Sequence, residues 1–302
     1  MMKNFNWKNP AMLLLAAFIW GSAFVFQDIA SEHVSSFTFN FFRFFFASLF
    51  LIPLAIFGYK SDKKKGREDK FKDLILGSFL CGSFLCLASV LQQKGIETTS
   101  VGKSGFITSS YILIIPIISF FLKKRYSINV YLSVVISLIG LYLLCVKGSF
   151  SLETGDIYLL GGALCYAIQI IFVERFSTKT NCFCLSLGQA LVSCIFCLVP
   201  MLLIENPSFE QIKLSIWPIL YIALFSTTIG YTGQIVAQKN INPTIASLIM
   251  SLESVFSVIF GAIILKQYLE IREIIGCLVM FIAIIFSQLP SEWFNIKKKN
   301  CK

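Results

Sequence analysis

Long apolar segments separated by short polar connections run along almost the whole chain. Stretches such as residues 44–57 (FFFASLFLIPLAIF) do not alternate apolar and polar side chains, which excludes the pattern of a membrane β-barrel. An α-helix needs roughly 20 mostly apolar residues to cross a bilayer. The pattern therefore predicts ten transmembrane helices, at residues 10–30, 36–58, 72–92, 98–122, 127–147, 155–174, 183–204, 214–237, 243–265 and 271–289.

The amino-acid composition supports a membrane protein. Of 302 residues, 56% are hydrophobic and 14% are charged, whereas soluble domains carry about 25% charged residues. We therefore predict an all-α, polytopic protein in contact with the lipid bilayer. The net charge of +10 does not indicate a nucleic-acid partner, because the cations lie in loops beside the apolar segments, where they set orientation.

The distribution of Lys and Arg predicts that orientation. With a cytoplasmic N-terminus, 19 cations fall on the cytoplasmic side and six on the outer side, while Arg43 lies inside the second helix. Positive charge in short loops favours the cytoplasm. We therefore expect a multi-pass protein of the cytoplasmic (inner) membrane with both termini inside the cell. The first apolar segment is interpreted as a retained helix, because no clear signal-peptide cleavage site follows it.

The chain also divides into two similar halves, residues 1–150 and 151–302. Residues 17–27 (AFIWGSAFVFQ) correspond to residues 162–174 (GALCYAIQIIFVE), and the FFLKK that ends the fourth helix corresponds to the IILKQ that ends the ninth. Because each half has five helices, the second half must be inserted upside down relative to the first. Two inverted five-helix repeats with a site near the middle of the membrane are typical of transporters.

The predicted fourth helix contains a lysine, Lys103, among small residues. A charge inside a span is costly and often functional. Lys103 shares a helical face with Ser110, seven residues later, so both are candidates for a substrate pathway. The alternative is a lysine that reaches the lipid headgroups. Asp156, at the start of the sixth helix, is interpreted as a solvated side chain.

Two further charged residues lie within spans. Arg43, among phenylalanines, must find a partner, because an unpaired charge there is costly. That partner is either a substrate carboxylate, which a guanidinium can bind with two hydrogen bonds, or Glu253 as a fixed structural pair. Glu253 is ten residues into the ninth helix, and apolar surroundings would favour its neutral form and suit a proton-coupled step. The sequence does not decide between these alternatives.

Six amphipathic side chains at middle depth complete the candidate pathway. They are Trp20, Tyr111, Tyr166, Gln169, Tyr231 and Gln234. Aromatic faces with amide and hydroxyl tips suit a small, partly apolar metabolite, although each residue alone could serve helix packing. The same Tyr-x-x-Gln spacing occurs twice, in Tyr166 with Gln169 and in Tyr231 with Gln234. Pro116 is a candidate bending point in the fourth helix.

Several short motifs resemble a known family when taken in order along the chain. They are residues 20–22 (WGS), Arg43, residues 92–96 (QQKGI), residues 98–107 (TTSVGKSGFI) and residues 252–253 (LE). Together they resemble the drug/metabolite transporter superfamily and its EamA-like permeases. The resemblance implies ten helices, an inner-membrane location and movement of amino acids or other small metabolites, often outward. Ser254 and Lys266-Gln267 depart from the family's usual proline and Gly-Glu pair.

These features favour a secondary transporter of small-molecule substrates, with amino-acid efflux by alternating access as the first hypothesis. A drug exporter, an uptake permease and a channel are the alternatives. No Walker-type phosphate loop and no His-Glu-x-x-His motif occurs, so neither direct ATP use nor an enzyme is expected. We expect no cofactor and no metal, and a monomer would suffice for function.

Overall fold

The computed structural model describes residues 7–64, 71–123, 126–145, 153–264, 266 and 270–287, and within these ranges all regular structure is helical. We number the helices α1 to α10 along the chain. They are α1 (Lys8–Ser31), α2 (Ser36–Lys64), α3 (Phe71–Ile96), α4 (Val101–Phe121), α5 (Ile128–Cys145), α6 (Thr154–Ser177), α7 (Cys182–Glu205), α8 (Phe209–Gln238), α9 (Pro243–Ile264) and α10 (Ile271–Ser287).

Eight of these helices are long and apolar enough to cross a membrane, and α5 and α10 contain shorter apolar stretches, Ile128–Leu143 and Ile274–Ser287. The predicted all-α polytopic fold is thus confirmed, while the count of ten spans stays a prediction. Large apolar side chains such as Leu203 (75%) and Trp217 (77%) are exposed, whereas glutamines such as Gln169 are buried. This distribution is expected where lipid covers the outside and polar groups face the interior.

The bundle has two ends, which we name after one residue at each. At the Ser36 end, Ser36 donates a hydrogen bond to Glu97 (2.6 Å) and Ser215 donates one to the carbonyl of Ala30 (3.5 Å). At the Asn181 end, the amide of Asn181 donates to Asp62 (2.6 Å). Short connections between successive long helices make neighbours along the chain run in opposite directions.

The principal contacts between helices keep the same pattern when five is added to, or subtracted from, every helix number. Contacts of α3 with α6 correspond to contacts of α8 with α1, and contacts of α4 with α6 correspond to contacts of α9 with α1. The contacts α2–α7 and α5–α10 each join a helix of one half to its own counterpart in the other half. Two halves related by a two-fold axis require this pattern. The predicted boundary at residue 150 lies outside the described residues.

Helices α4 and α9 are both interrupted near their middle, α4 at Ser110 and α9 at Ser251 and Leu252. In α9, the hydroxyls of Ser251, Ser254 and Ser257 each donate to the carbonyl three residues earlier. Such side-chain bonds compete with the helical ladder and bend helices. In α4 the interruption precedes Pro116, the predicted bending point, by more than one turn.

Both interrupted helices are followed by a lysine in the left-handed region. Lys123 has φ 59° after α4, and Lys266 has φ 56° after α9. A left-handed residue just beyond a helix redirects the chain and is usually glycine, because a Cβ is disfavoured there. These two lysines occupy the positions that the sequence comparison of FFLKK with IILKQ equates. The correspondence of α4 with α9 therefore extends to the backbone.

Candidate functional site

A cavity with an empty volume of about 430 Å³ lies in the middle of the bundle. Its wall contains eight of the ten residues predicted from the sequence: Trp20, Arg43, Tyr111, Tyr166, Gln169, Tyr231, Gln234 and Glu253. Ala23, Phe24, Gln27, Gln92, Thr108, Ile170 and Ser226 complete it. The structure brings these side chains together from seven helices of both halves. Their role in a substrate pathway stays a prediction.

Arg43 reaches the cavity from α2 and is 2% exposed. Its Nε donates to the Thr227 hydroxyl (2.8 Å), and Nη2 lies 3.4 Å from the Ser226 hydroxyl. The guanidinium carbon is 5.7 Å from the centre of the Tyr231 ring. Neutral hydroxyls and an aromatic face hold this cation without neutralising its charge, so it retains the ability to bind an anion.

A π-helical segment of α8, Ile222–Tyr231, presents the groups that hold Arg43. Within this segment, the Ser226 carbonyl accepts a hydrogen bond from the indole of Trp20 (3.1 Å). Gly230 makes this approach possible, because a Cβ there would lie 2.6 Å from the indole nitrogen. π-helical turns within α-helices are frequent at functional sites.

Glu253 enters from α9, directly after the interruption, and is 5% exposed. Its carboxylate accepts a long hydrogen bond from Ser109 (3.4 Å), the residue that precedes the interruption of α4. The Tyr111 hydroxyl lies near the carboxyl but has no hydrogen-bond partner among the described residues. Each interrupted helix thus brings its break to the same wall of the cavity.

Arg43 and Glu253 do not pair with each other, so the fixed structural ion pair considered from the sequence is not observed. Neither side chain has an oppositely charged partner within salt-bridge distance among the described residues. Both nevertheless border one cavity. Buried charges are normally paired. This cavity therefore offers one guanidinium and one carboxyl group to a molecule inside it.

Aromatic hydroxyls connect the two halves across the cavity. The Tyr231 hydroxyl lies 3.4 Å from that of Tyr166, which donates in turn to Gln92 (3.1 Å). The ring of Tyr231 packs against Trp20, with 4.9 Å between ring centres. The wall therefore combines five aromatic side chains with eight amide, hydroxyl or charged side chains, and convergent polar groups beside aromatic faces suit a small organic molecule.

Sequence reasoning missed four neutral polar residues of the wall, Gln27, Gln92, Thr108 and Ser226, and Thr227, which accepts a hydrogen bond from Arg43. Gln92 was noted only as part of a family-like motif. One signal in the sequence could have found the glutamines. Gln27 and Gln92 each lie four residues before the end of a predominantly apolar helix, where a buried amide must find a partner.

Two predicted pathway residues lie outside the cavity wall. Lys103 forms an ion pair with Asp156 of α6 (2.7 Å). It is therefore neither a residue of the cavity wall nor a lysine that only reaches the lipid headgroups. The interpretation of Asp156 as solvated was wrong, because its side chain is fully buried. Burial is stable here because Lys103 supplies the opposite charge. The Ser110 hydroxyl is buried at the interruption of α4 and has no partner among the described residues.

Comparison with known proteins places the chain among membrane transporters. The model of the EamA-like transporter family matches it twice, over residues 8–146 and 153–289. An uncharacterised transporter of Archaeoglobus fulgidus is 31% identical over 92% of this chain and 84% of its own length. The uncharacterised transporter YetK of Bacillus subtilis is 24% identical over 95% of this chain and 90% of its own length.

The fold is also that of a solved protein. A crystal structure with 13% sequence identity superposes with a TM-score of 0.74 and covers 95% of this chain and 98% of its own. The family and the two relatives carry the names of transporters, which are not enzymes.

Proposed function

Because this chain belongs to the EamA-like transporter family, we propose that it is a secondary transporter that exports amino acids or similar small metabolites by alternating access. The two family matches, at residues 8–146 and 153–289, support two repeats of five helices. The matching interruptions of α4 and α9 support an inverted arrangement with the site between the repeats.

The observation that carries the amino-acid assignment is the unpaired, buried Arg43 and Glu253 on one cavity. An amino acid is a zwitterion, so its carboxylate can bind the guanidinium while its ammonium binds the carboxylate of Glu253. Charge-assisted hydrogen bonds of this kind are roughly twice as strong as neutral ones. The rings of Trp20 and Tyr231 would then contact the side chain of the substrate.

We propose that the Asn181 end faces the cytoplasm and that the protein lies in the cytoplasmic membrane. The inner end of α2 at this side carries Lys60, Lys63 and Lys64, in agreement with the preference of cations for the cytoplasmic side. Export then means that substrate is loaded through the Asn181 end and released through the Ser36 end.

The test is transport by purified protein in liposomes. Liposomes loaded with one unlabelled amino acid should accumulate the labelled form by exchange, with aromatic and large aliphatic amino acids moved fastest. The matched control is Ser193→Ala, which removes a buried hydroxyl that bonds the Gly82 carbonyl away from the cavity. Absence of exchange for every amino acid would reject the assignment. Net flux from inside-out and right-side-out vesicles separates export from uptake.

An exporter of organic cations is the second candidate, favoured by the position of Glu253 among aromatic rings. Arg43 distinguishes the two functions. A zwitterionic substrate needs both charges, so Arg43→Gln and Glu253→Gln should each stop exchange. A cationic drug needs only the carboxylate, so Arg43→Gln should preserve or increase its export. A drug-sensitivity assay in cells producing either variant provides the measurement.

A further inference from the structure

Two sets of buried glutamines flank the cavity, one towards each end of the bundle. Towards the Ser36 end, Gln27 of α1 donates to Gln92 of α3 (3.4 Å). Towards the Asn181 end, Gln234 of α8 donates to Gln169 of α6 (3.4 Å). All four are at most 6% exposed and border the cavity.

The two amide pairs lie on corresponding helices of the two halves, with Gln92 and Gln234 at corresponding positions and Gln27 and Gln169 about one helical turn apart. The counterparts of α1 and α3 in the second half, five numbers later, are α6 and α8, and these helices carry the second pair. Gln92 lies four residues before the end of α3 at Ile96, and Gln234 lies four residues before the end of α8 at Gln238. Because the halves run in opposite directions, corresponding pairs lie at opposite ends of the cavity.

Close packing joins the six central helices within two groups, and the groups meet where α4 contacts α9, since a Cβ at Gly105 would lie 2.5 Å from the Ser257 hydroxyl. In the first group, α1 touches α9 so closely that a Cβ at Gly21 would overlap Phe256, and Trp20 of α1 packs on Gly230 of α8. In the second group, α3 touches α6 so closely that a Cβ at Gly95 would overlap Leu159.

The ion pair between Lys103 and Asp156 joins α4 to α6 in the second group. The first group therefore contains α1, α8 and α9, and the second contains α6, α3 and α4. Each helix of the first group has its counterpart, five numbers away, in the second group.

Most polar contacts between the two groups are long, and the shortest polar contacts between these helices, the Lys103–Asp156 ion pair (2.7 Å) and the Ser22–Tyr221 hydrogen bond (2.7 Å), lie within a group. The two amide pairs, the Ser109–Glu253 bond and the Tyr166–Tyr231 contact all cross between groups at 3.4 Å. Gln93 adds one shorter bond, 3.0 Å, to the carbonyl of Gln27. A neutral hydrogen bond near 3.4 Å is weak and is readily exchanged for one to water or a solute. Such contacts suit a surface that opens and closes.

We propose that Gln27–Gln92 and Gln169–Gln234 are the two gates of the cavity, which open alternately as the two helix groups rock about the contact between Tyr166 and Tyr231. This inference rests on the proposed transport function and adds the residues that control access. Glutamine suits both gates because an open gate exposes neutral amides that hydrogen-bond to water, whereas an ion pair would cost more to separate.

Cysteine accessibility tests the gates without a known substrate. A reporter cysteine replaces Ala23 in the cavity wall of a variant whose ten native cysteines are changed to serine or alanine. A membrane-impermeant maleimide is then applied to right-side-out and to inside-out vesicles. Gln92→Leu should increase labelling through the Ser36 end and decrease it through the Asn181 end. Gln234→Leu should have the opposite effect.

Each change should be at least about threefold, because Gln234→Leu removes the hydrogen bond to Gln169 and Gln92→Leu removes those with Gln27, Thr108 and Tyr166. The double variant should return the ratio of labelling at the two ends towards that of the parent, and Ser193→Ala should leave it unchanged. If a leucine variant elutes as aggregate, Gln92→Met or Gln234→Met takes its place. Labelling that changes in the same direction for both variants, or in neither, would overturn the gate assignment.

The result separates the gates from the transport function. Opposite labelling shifts in a protein that moves no solute would support the gates and reject the transport proposal. Normal exchange of amino acids with unchanged labelling in both variants would reject the gates and retain the transporter.

Discussion

Helices α4 and α9 share a backbone design but carry different chemistry. Both are interrupted near the middle and both are followed by a left-handed lysine. After the interruption, α9 presents a carboxylate, Glu253, whereas α4 presents the tyrosine Tyr111. The first turns differ as well, since α4 is joined to α6 through Lys103 while α9 begins at the Asn242 cap.

The difference shows how a duplicated scaffold can hold an asymmetric substrate. The repeated interruptions provide a two-fold related cavity, but an amino acid has no such symmetry. In the proposed complex one half contributes the cation, Arg43, and the other half contributes the anion, Glu253. Backbone features are therefore shared between the halves, while charges are divided between them.

The strongest test of this division is to neutralise the charge on α9 and remove the corresponding hydroxyl on α4. Glu253→Gln should reduce amino-acid exchange about 10- to 100-fold, because a charge-assisted hydrogen bond contributes roughly 1.5–3 kcal/mol. Tyr111→Phe should reduce it less, by about two- to tenfold, since this neutral hydroxyl lies beside the Glu253 carboxyl and a neutral hydrogen bond contributes roughly 0.5–1.5 kcal/mol. Initial rates of exchange in liposomes provide the measurement. Equal losses in both variants would contradict the division of roles.

The next test compares how the two helices begin. Asp156→Asn removes the carboxylate charge that pairs with Lys103, and we expect a loss of about 2 kcal/mol of stability, below the value for fully buried pairs because Lys103 is partly exposed. Asn242→Ala removes the cap of α9 and should cost about 1 kcal/mol. Thermal unfolding of the purified proteins in detergent compares them. The charge-reversed double variant, Lys103→Asp with Asp156→Lys, should recover part of the first loss.

A smaller effect is expected at the two left-handed lysines. Lys123→Gly and Lys266→Gly should each raise stability by up to about 1 kcal/mol, because glycine adopts positive φ without a steric penalty. Similar gains at both positions would support the equivalence of the two helix ends. Lys239→Gly, in a right-handed conformation after α8, is the matched control and should give no gain.

The smallest effect concerns the connection before α4. Partial burial, aided by the nearby charge of Glu205, raises the pKa of Glu97 above its ordinary value of 4.5. The folded protein therefore favours the protonated carboxyl. The contribution of protonated Glu97 to the stability of the fold is complete below pH 4.5. It is lost as the pH rises through the raised pKa of Glu97 in the folded protein.

Glu97→Gln should consequently raise stability at neutral pH by less than about 0.5 kcal/mol and flatten its dependence on pH. The corresponding connection before α9, residues 239–242, contains no carboxylate, and Asn240→Ala should leave the pH dependence unchanged. Thermal unfolding at a series of pH values provides the measurement, and an unaltered slope in Glu97→Gln would contradict the prediction.

Hydropathy and internal similarity predicted the helices and most of the residues that line the cavity. Apolar segments, and polar residues deep within them, can be recognised directly in the sequence. Trp20 and Tyr166 could be matched from the similarity of the two halves. The partner of Lys103 could not be predicted, because Asp156 lies in another helix and helical spacing relates residues only within the same helix.

The interruptions of the helices were harder to predict than the helices themselves. Pro116 was the predicted bending point of α4, but α4 is interrupted earlier, at Ser110. The interruption of α9 lies among serine hydroxyls that bond to backbone carbonyls. The π-helical segment of α8 likewise depends on tertiary contacts of Ser226 with Trp20 and Arg43. Packing of this kind overrides local propensity and leaves no pattern in the sequence of one helix.

The placement of Trp20 gives the protein an intrinsic optical signal. Two other tryptophans, Trp7 (70% exposed) and Trp217 (77% exposed), lie on the outer surface, and Trp293 lies outside the described residues. Only Trp20 borders the cavity among the three described tryptophans. A solute that displaces water from its indole should shift and quench its fluorescence, while the emission of the two surface tryptophans stays constant. Occupancy can thus be followed by ultraviolet spectroscopy of the unlabelled protein.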